Sequence, residues 1–343
     1  MNVKAFLNTV SLRCRTLPIV ILYVTEGCNL QCITCSYRDP LPNELTLDEI
    51  KQLAGELSRY GLRHIVYSGG EPLMRKDFVE ICRIFSDCGV KQSLLTNGLL
   101  LEKRVEAIAG FLDEIIVSVD GPTADIHNSI RGARSFDVIL NGIHRYMKMP
   151  DRKVISLRCV VQKRNFRLLQ NMVSLAKSLG VNSISFLSAD VLSDSFARDT
   201  RGKVALDERI TLTENETIEF RRLTEQFVVD NRVYFESGLL SDPPQKFFHM
   251  VQYFEALVGK TPFPRNHCNA PMVSAVITST GQLLPCFFLP SYGNIRQNKI
   301  KDLFNTDGIR RTRNSVRRYE LERCRTCVCT MNKTPTAALM DRF

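Results

Sequence analysis

The strongest constraint on the fold is an alternation of short β-rich runs with helical patterns over residues 17–188. Six runs rich in Val, Ile, Leu or Ser predict strands at residues 19–25, 64–68, 92–96, 114–119, 155–161 and 183–188. Helix patterns lie between them, and the first starts at the capping box Thr46-x-x-Glu49 and ends at Gly61. This order predicts an α/β fold with a parallel sheet and right-handed crossovers, open or closed into a partial barrel.

Three cysteines follow the first predicted strand, where parallel sheets place their chemistry. Cys28, Cys32 and Cys35 are spaced C-x3-C-x2-C. A structural zinc site would need a fourth protein ligand, whereas a [4Fe-4S] cluster held by three Cys keeps one iron open for an outside ligand. The nearest histidine, His64, begins the second predicted strand and therefore lies at the wrong end of the sheet.

This cysteine spacing, placed directly after the first strand of a six-fold βα alternation, resembles the radical S-adenosylmethionine superfamily. The resemblance covers residues 17 to about 188. It implies a partial (βα)6 TIM-like barrel and a [4Fe-4S] cluster on the three cysteines. It also implies S-adenosyl-L-methionine as cofactor, with its amino and carboxylate groups on the open iron.

A glycine-rich loop follows the second predicted strand. Its sequence, Ser68-Gly69-Gly70-Glu71-Pro72, matches the superfamily's Gly-Gly-Glu-Pro motif. The glycines would allow close backbone approach to a ligand, and Glu71 would accept hydrogen bonds from an ammonium group. Taken alone, the stretch would be an ordinary turn with a solvated Glu.

After the third predicted strand, Thr96-Asn97-Gly98 resembles the superfamily's Thr-Asn-Gly. Its hydroxyl and amide groups would suit the ribose and methionyl moieties of the cofactor, and the alternative is an Asn-Gly turn. The sequence departs from the superfamily at Thr34, where an aromatic residue often precedes the third cysteine. Tyr37 could supply the missing aromatic contact to adenine.

The fourth predicted strand ends in Ser118-Val119-Asp120-Gly121-Pro122, and His127 and Arg131-Gly132 follow. This stretch resembles relatives that carry an additional cluster domain. The resemblance implies that Ser118 and Asp120 contact the cofactor and that Arg131 contacts a carboxylate or the substrate. The alternative for Arg131 is a solvated surface position.

A second cysteine set lies near the C-terminus, spaced C-x17-C-x37-C-x2-C-x-C. It resembles the shortened SPASM or "twitch" extension, closest in spacing to the aminocyclitol dehydrogenase type, which holds one auxiliary [4Fe-4S] cluster. The ligands implied are Cys268, Cys286, Cys324 and Cys327, with Cys329 spare or an alternative to Cys327. A structural zinc held by four thiolates is the alternative.

Three regions are expected along the chain. Residues 1–210 form the barrel, residues 211–260 form a helical linker that could cover the substrate, and residues 261–343 form a small α+β extension of the twitch or SPASM kind. A hairpin is predicted in the extension, with strands at 273–277 and 282–286 around a Thr280-Gly281 turn.

The charge of the chain is concentrated at one end. The net charge is +10, and residues 261–343 carry 13 Lys and Arg against 5 Asp and Glu. The basic residues could contact an anion or an electron-donor protein such as flavodoxin or ferredoxin, or form a solvated face. They are Arg310, Arg311, Arg313, Arg317, Arg318, Arg323 and Arg325. A cysteine-rich nucleic-acid-binding protein is disfavoured, because only Tyr319 interleaves them and the chain has no Trp.

Composition places the protein in the cytoplasm. Twelve cysteines in 343 residues are too dilute for a disulfide scaffold, and the first 25 residues lack a signal peptide pattern. No apolar run is long enough to span a membrane. Residues 247–263, rich in Phe, Tyr, Met and Val, are expected to form core or lid packing, with substrate or peripheral membrane contact as alternatives.

The resemblance implies a radical mechanism. Reductive cleavage of S-adenosylmethionine gives a 5′-deoxyadenosyl radical, which takes a hydrogen atom from the substrate. An auxiliary cluster with four cysteine ligands favours net oxidation, with epimerisation or decarboxylation as alternatives. The short stretch before the barrel leaves no room for a peptide-binding domain, so a sugar, cyclitol or nucleoside derivative is favoured over a peptide. The sequence identifies no catalytic acid, base or hydrogen donor.

Overall fold

The computed structural model describes residues 2–196, 207–329 and 331–340. The described strands are β1 (Ile19–Thr25), β2 (His64–Gly69), β3 (Lys91–Thr96), β4 (Glu114–Ser118), β5 (Val154–Val161), β6 (Ser183–Ser188), β7 (Ser274–Ile277) and β8 (Leu283–Leu284). The described helices are α1 (Val3–Val10), α2 (Leu47–Arg59), α3 (Phe78–Asp87), α4 (Leu101–Ile108), α5 (Ala124–Arg131), α6 (Phe136–Met147), α7 (Leu169–Leu179), α8 (Glu214–Asp230), α9 (Arg232–Glu236), α10 (Pro244–Leu257), α11 (Ala270–Val273), α12 (Ile300–Leu303), α13 (Asp307–Arg317), α14 (Glu322–Arg325) and α15 (Pro335–Leu339).

The six strands predicted from the alternation are confirmed and pair in chain order. Strands β1 to β6 are parallel neighbours. The predicted capping box of α2 is also present, since the Thr46 side chain accepts from the Glu49 backbone and the Glu49 side chain accepts from the Thr46 backbone. The predicted end of the barrel at residue 210 follows residues 197–206, which lie outside the described residues.

One face of the sheet carries all the crossover helices, as in a barrel. In β5, Ile155, Leu157 and Cys159 pack into the main hydrophobic core together with residues of α2, α3, α4, α6 and α7. The alternate residues, such as Ser156 and Arg158, lie on the opposite face because strand side chains alternate. We call this opposite face the inner face. A doubly wound sheet would divide its helices between the two faces, so the arrangement confirms the barrel-like α/β fold.

The predicted C-terminal hairpin is confirmed, and it extends the main sheet. Strand β7 pairs in parallel with β1, and β8 pairs antiparallel with β7. Gly281, in the turn between them, has a φ of +82°, which favours glycine. The pairing with β1 was not predicted, because parallel pairing joins segments far apart along the chain and leaves no local pattern.

The predicted basic face is wrong at Arg313, which is 1% exposed. Its guanidinium donates to the carbonyls of Pro271 at 2.8 Å, Phe304 at 2.6 Å and Leu12 at 3.2 Å. A buried Arg that satisfies several carbonyls acts as a cross-link. It therefore ties the extension to the N-terminal segment and takes no part in a surface.

The segment after β6 packs against the edge of the sheet. The backbone N–H of Ile184 donates to the Leu239 carbonyl at 2.7 Å, and the rings of Phe186, Phe227 and Phe247 contact one another. In the aromatic stretch at 247–263, five side chains are buried, which confirms core packing for that part of the stretch: Phe247, Met250, Val251, Tyr253 and Phe254. Within the described ranges no helix combines the length and apolar character needed to cross a membrane.

Candidate active site

The first cysteine site consists of Cys28, Cys32 and Cys35 on the loop after β1, and all three thiols are half-buried. The loop folds back on itself, because the Cys28 N–H donates to the Arg38 carbonyl at 2.8 Å and the Cys35 N–H donates to the Cys32 carbonyl at 3.3 Å. The three predicted ligands therefore lie on one compact loop at the carboxyl end of β1.

The C-terminal end of α5 supports this loop. The Ile33 N–H donates to the Ile130 carbonyl at 3.1 Å. Gly132 ends the helix with a φ of +72°, and a Cβ there would lie 2.4 Å from the Gln31 carbonyl oxygen. The Arg-Gly pair recognised in the sequence thus includes a glycine that fits closely under the cysteine loop.

Arg131 lies beside the first cysteine site and is not solvated, so the alternative of a surface position is wrong. Its Nε pairs with the Asp120 carboxylate at 2.7 Å, and its Nη1 lies 3.9 Å from Cys32 Sγ. Burial alone would lower the pKa of Arg131, but Asp120 and Cys32 together raise it above its usual range. The fixed positive charge suits a cysteine thiolate, and Asp120 serves as its internal carboxylate partner.

His127 positions the Asp120 segment. Burial, together with the nearby Arg131 charge, lowers the pKa of His127 to about 3, so its ring is neutral. Its Nδ1 accepts from the Asp120 N–H at 3.3 Å, and its Nε2 can then donate to Ser135 Oγ at 3.2 Å. The histidine of the recognised stretch is therefore a positioning residue in this structure.

Glu71 lies between the loops after β2 and β3, so the alternative of a solvated Glu is wrong. It is fully buried, and its carboxylate accepts from the Leu73 N–H at 3.0 Å, the Asn97 N–H at 2.7 Å and the Thr96 hydroxyl at 2.8 Å. Burial raises its pKa to about 7. The carboxylate thus joins the loops after β2 and β3, and its role as an acceptor for an ammonium group stays a prediction. Pro72 starts the short 3-10 helix that follows.

The paired glycines approach a neighbouring loop closely, and their approach to a ligand stays a prediction. A Cβ on Gly69, whose φ is +111°, would lie 2.2 Å from the Thr25 carbonyl oxygen. A Cβ on Gly70 would lie 2.2 Å from the Gly27 carbonyl oxygen. These contacts hold the loop after β2 against the loop that begins the first cysteine site.

Three other predicted cofactor contacts occupy distinct positions. Asn97 donates through Nδ2 to Asn29 Oδ1 at 2.7 Å and lies 3.8 Å from Cys28 Sγ, so it reaches the first cysteine site. Ser118 is the last residue of β4 and lies on the inner face. Tyr37 is buried edge-on against Tyr23, with ring centroids 6.2 Å apart.

The second cysteine site brings all five C-terminal cysteines to one cavity. Cys268, Cys286, Cys324, Cys327 and Cys329 line it together with apolar residues that include Ile21 of β1 and Val276 of β7. Burial raises the pKa of Cys286 to about 12, and the nearby Cys268 and Cys324 thiols add to this shift. A closed set of thiols in an apolar cavity is a donor set that suits an iron–sulfur cluster.

Cys329 differs from the other four thiols in its surroundings. Burial raises its pKa, while the positive charges of Arg158 and Lys246 act in the opposite direction. Arg158 belongs to β5 and Lys246 to α10, so the Cys329 thiol is influenced by charges from outside the extension. The Cys327 thiol donates to the Cys329 backbone carbonyl at 2.8 Å.

The donor sets of both sites match four-iron clusters in kind. In the part of the chain described, no three His, Cys, Asp or Glu side chains converge as they would around a single metal ion. A four-iron cluster presents a separate iron to each thiolate, so its ligands need not converge on one point. Three loop thiols at the first site and four or five cavity thiols at the second fit this requirement.

The structure places two arginines near these sites, one predicted as part of the basic face and one not predicted. Arg323 is on α14, where its Nη2 pairs with the buried Asp190 at 2.9 Å, so the prediction of a solvated basic face is wrong at this residue. Arg158 lies on the inner face of β5 and donates to Ser185 Oγ at 3.2 Å. A charged residue within the apolar run at 154–161 was the one available signal for Arg158.

Comparison with family models supports both sites. The chain matches the model of the radical SAM superfamily over residues 22–176 and the model of an iron–sulfur cluster-binding domain, SPASM, over residues 268–328. The first match contains Cys28, Cys32 and Cys35. The second contains four of the five C-terminal cysteines and stops before Cys329.

Individual relatives agree with these matches. The chain is 36% identical to the AdoMet-dependent heme synthase of Methanosarcina barkeri over 163 residues, which is 46% of each protein, so it spans less than half of that relative. It is 24% identical to the AdoMet-dependent heme synthase of Oleidesulfovibrio alaskensis over 89% of this chain and 78% of that one. Its fold is similar to Streptococcus suis SuiB bound to S-adenosylmethionine, with a TM-score of 0.66 and 16% identity over 95% of this chain and 77% of SuiB.

Proposed function

This chain belongs to the radical SAM superfamily and carries a C-terminal iron–sulfur cluster-binding extension, and on that premise we propose that it oxidises a small polar molecule by two electrons. S-adenosylmethionine and [4Fe-4S] clusters are its cofactors. When bound, they supply a radical that removes a hydrogen atom from the substrate and an acceptor for the electron left behind. The residues of the chain hold these groups, exclude water and orient the substrate.

The observation that carries this proposal is a wall that the barrel sheet shares with the cavity of the second cysteine site. The cavity of the second cysteine site is lined by Ile21 and Val276, which belong to adjacent strands of the barrel sheet. Phe287, on the same cavity, stacks on Tyr23 of β1 with ring centroids 6.2 Å apart. The contact supports electron transfer between a substrate in the barrel and the second site.

The closure of the second site supports an electron-transfer role. Four cysteine ligands would leave no iron open for substrate, so a cluster there would exchange electrons and not bind the substrate. In the proposed oxidation the substrate gives up one hydrogen atom, one electron through the second site and one proton to a base or to water. This outcome is an alcohol converted to a carbonyl or a comparable dehydrogenation.

The inner face of the sheet supports a polar substrate. At the level of the carboxyl end of β4, this face carries Ser118 of β4, Arg158 of β5 and Ser185 of β6. The Arg158 Nε donates to Ser185 Oγ at 3.2 Å. The neighbouring β1 presents Ile19, Ile21 and Tyr23. A lining with hydroxyl and guanidinium groups suits a sugar, cyclitol or nucleoside derivative better than an apolar molecule.

The exposed arginines of α13 support a docking site for the electron donor. Arg310, Arg311 and Arg317 are exposed, while Val316 of the same helix lines the second cysteine cavity. A positive surface over a redox site suits an acidic one-electron carrier such as flavodoxin or ferredoxin.

A deuterium-transfer experiment tests the proposal with metabolite mixtures in place of a single chosen substrate. The reconstituted, reduced protein is incubated with S-adenosylmethionine and metabolites from cells grown in deuterated medium, divided into small-molecule and peptide fractions. We expect 5′-deoxyadenosine one mass unit heavier only with the small-molecule fraction. Deuterium transfer from the peptide fraction alone would contradict the small-molecule proposal.

A second readout tests the direction of the reaction. Net oxidation returns an electron at each turnover, so the reductant consumed per 5′-deoxyadenosine stays well below one equivalent. A redox-neutral reaction that uses up S-adenosylmethionine consumes reductant at every turnover. Consumption of one equivalent of reductant per 5′-deoxyadenosine, measured with the active fraction, would therefore refute the proposed oxidation.

A further inference from the structure

We infer that Arg158 on β5, together with Ser118 of β4 and Ser185 of β6, forms a binding site for a carboxylate or phosphate group of the substrate. The inference rests on the proposed function for the identity of the bound molecule as substrate. It adds a charge requirement that the family resemblance does not supply.

The three residues lie side by side on the inner face. The strand register places Ser118 opposite Arg158 and Arg158 opposite Ser185. The Arg158 Nε donates to Ser185 Oγ at 3.2 Å. Residues opposite one another on neighbouring strands point to the same face, so two hydroxyl groups flank one guanidinium.

Arg158 differs from the other half-buried arginines near the two cysteine sites in having no carboxylate partner among the described residues. Arg131 pairs with Asp120 at 2.7 Å, and Arg323 pairs with Asp190 at 2.9 Å. A guanidinium withdrawn from water without an opposite charge is costly, and one oxyanion would remove that cost. The uncompensated charge is therefore best explained by an anionic ligand.

The geometry of the guanidinium matches an oxyanion. The hydrogen bond that the described part of the chain provides for this side chain uses Nε, which leaves the two terminal nitrogens for a ligand. Guanidinium groups bind carboxylate and phosphate through two parallel N–H···O bonds. The hydroxyls of Ser118 and Ser185 can donate to further oxygens of the same group.

The location lies between the two cysteine sites. Ser118 ends β4 beside the segment that holds Asp120 and Arg131, next to the first site. The Arg158 charge acts on the Cys329 thiol at the second site. Lys246 also acts on Cys329, but it pairs with Asp242 at 2.6 Å. A substrate anchored at Arg158 would therefore be within reach of both hydrogen removal and electron transfer.

Anion titration of the reconstituted protein tests the site. Inorganic phosphate and acetate are titrated separately into the oxidised protein in the presence of S-adenosylmethionine, and binding is followed by calorimetry. We expect saturable binding of at least one anion, weakened about tenfold or more in Arg158→Gln, since a charge-assisted hydrogen bond is lost. Arg158→Lys keeps the positive charge but cannot form two parallel N–H···O bonds, so its anion affinity should fall between those of the wild type and Arg158→Gln. Arg152→Gln, at an exposed arginine outside both cysteine sites, should bind as the wild type does.

Three results would overturn the inference. They are an absence of saturable binding to the wild type, equal binding to wild type and both Arg158 variants, and a loss of S-adenosylmethionine affinity in Arg158→Lys and Arg158→Gln. The last result would assign the guanidinium to the cofactor's own carboxylate. None of these measurements requires turnover, so a failure here is distinct from a failure of the proposed oxidation.

Discussion

The two cysteine sites are built in opposite ways. The first gathers three thiols from one short loop and surrounds them with polar groups from the loops after β2, β3 and β4, including Asn97 and Arg131. The second gathers five thiols from segments spread over residues 268–329 into a cavity with mainly apolar walls. The first site is therefore local in sequence and polar, and the second depends on tertiary folding and is apolar.

This difference indicates a division of tasks. A site with three ligands and nearby hydrogen-bond donors can accept an outside ligand and orient it. A site with four or more ligands in an apolar cavity can exchange electrons while its surroundings exclude water. The comparison predicts that damage to the first site abolishes the formation of 5′-deoxyadenosine. Damage to the second site should leave some 5′-deoxyadenosine formation but prevent the formation of oxidised product.

The largest expected effect separates the two sites by cysteine substitution. Cys28→Ala should abolish 5′-deoxyadenosine formation, because the first cluster loses a ligand. Cys324→Ala should keep some uncoupled formation of 5′-deoxyadenosine but yield no oxidised product. Cys88→Ala, a half-buried thiol outside both sites, is the matched control and should behave as the wild type. Full product yield from Cys324→Ala would remove the second site from the mechanism.

The next largest effect concerns the glycine contact beside the first site. Gly69→Ala should destabilise the protein by about 3 kcal/mol or more, because it combines backbone strain with a clash against Thr25. Gly89 also has a positive φ, of +67°, but a Cβ there would meet no atom within 4 Å. Gly89→Ala should therefore cost only about 1 kcal/mol. Urea unfolding measures both, and equal losses would show that the close approach to Thr25 is unimportant.

A comparable but smaller loss is expected when the buried ion pair of the first site is broken. Asp120→Asn leaves the Arg131 charge without a partner and should lower the free energy of unfolding by about 3 kcal/mol. The exposed pair between Arg145 and Glu106, at 2.8 Å, gives the control, and Glu106→Gln should cost less than about 1 kcal/mol. If the two variants unfold at the same urea concentration, Asp120 does not stabilise Arg131 as described.

The smallest effect concerns the surface contact between the extension and α2. Arg296 binds the Glu49 carboxylate through two nitrogens, at 2.6 and 2.9 Å, and this contact lowers the pKa of Glu49 to about 2. Glu49→Gln keeps a side chain able to complete the capping box with Thr46. The loss should be below about 1 kcal/mol and should shrink at high salt. A large, salt-independent change in thermal unfolding would mean that the extension depends on this pair.

The sequence predicted the parts of the fold that depend on local patterns. The strands β1 and β6 have the bounds that the hydrophobic patterns indicate, and the capping box at Thr46 is present. The first cysteine site was predictable for the same reason, since its three thiols lie within eight residues.

The parts that could not be predicted depend on contacts between distant segments. The pairing of β7 with β1, the burial of Arg313 and the engagement of Glu71 by Thr96 and Asn97 join residues that no local pattern connects. Motif resemblance indicated that Glu71 and the paired glycines matter. It could not show that their contacts are with neighbouring loops.

The most direct test of the central claim is the response of each cluster to S-adenosylmethionine. Mössbauer spectra of the reconstituted wild type should account for about eight irons per chain, the sum of two four-iron clusters, with only one cluster altered by the cofactor. A variant in which Cys28, Cys32 and Cys35 are all replaced by Ala should keep about four irons, with a spectrum that the cofactor leaves unchanged. A remaining cluster that does respond to S-adenosylmethionine would contradict the account, because the second site would then have an open iron.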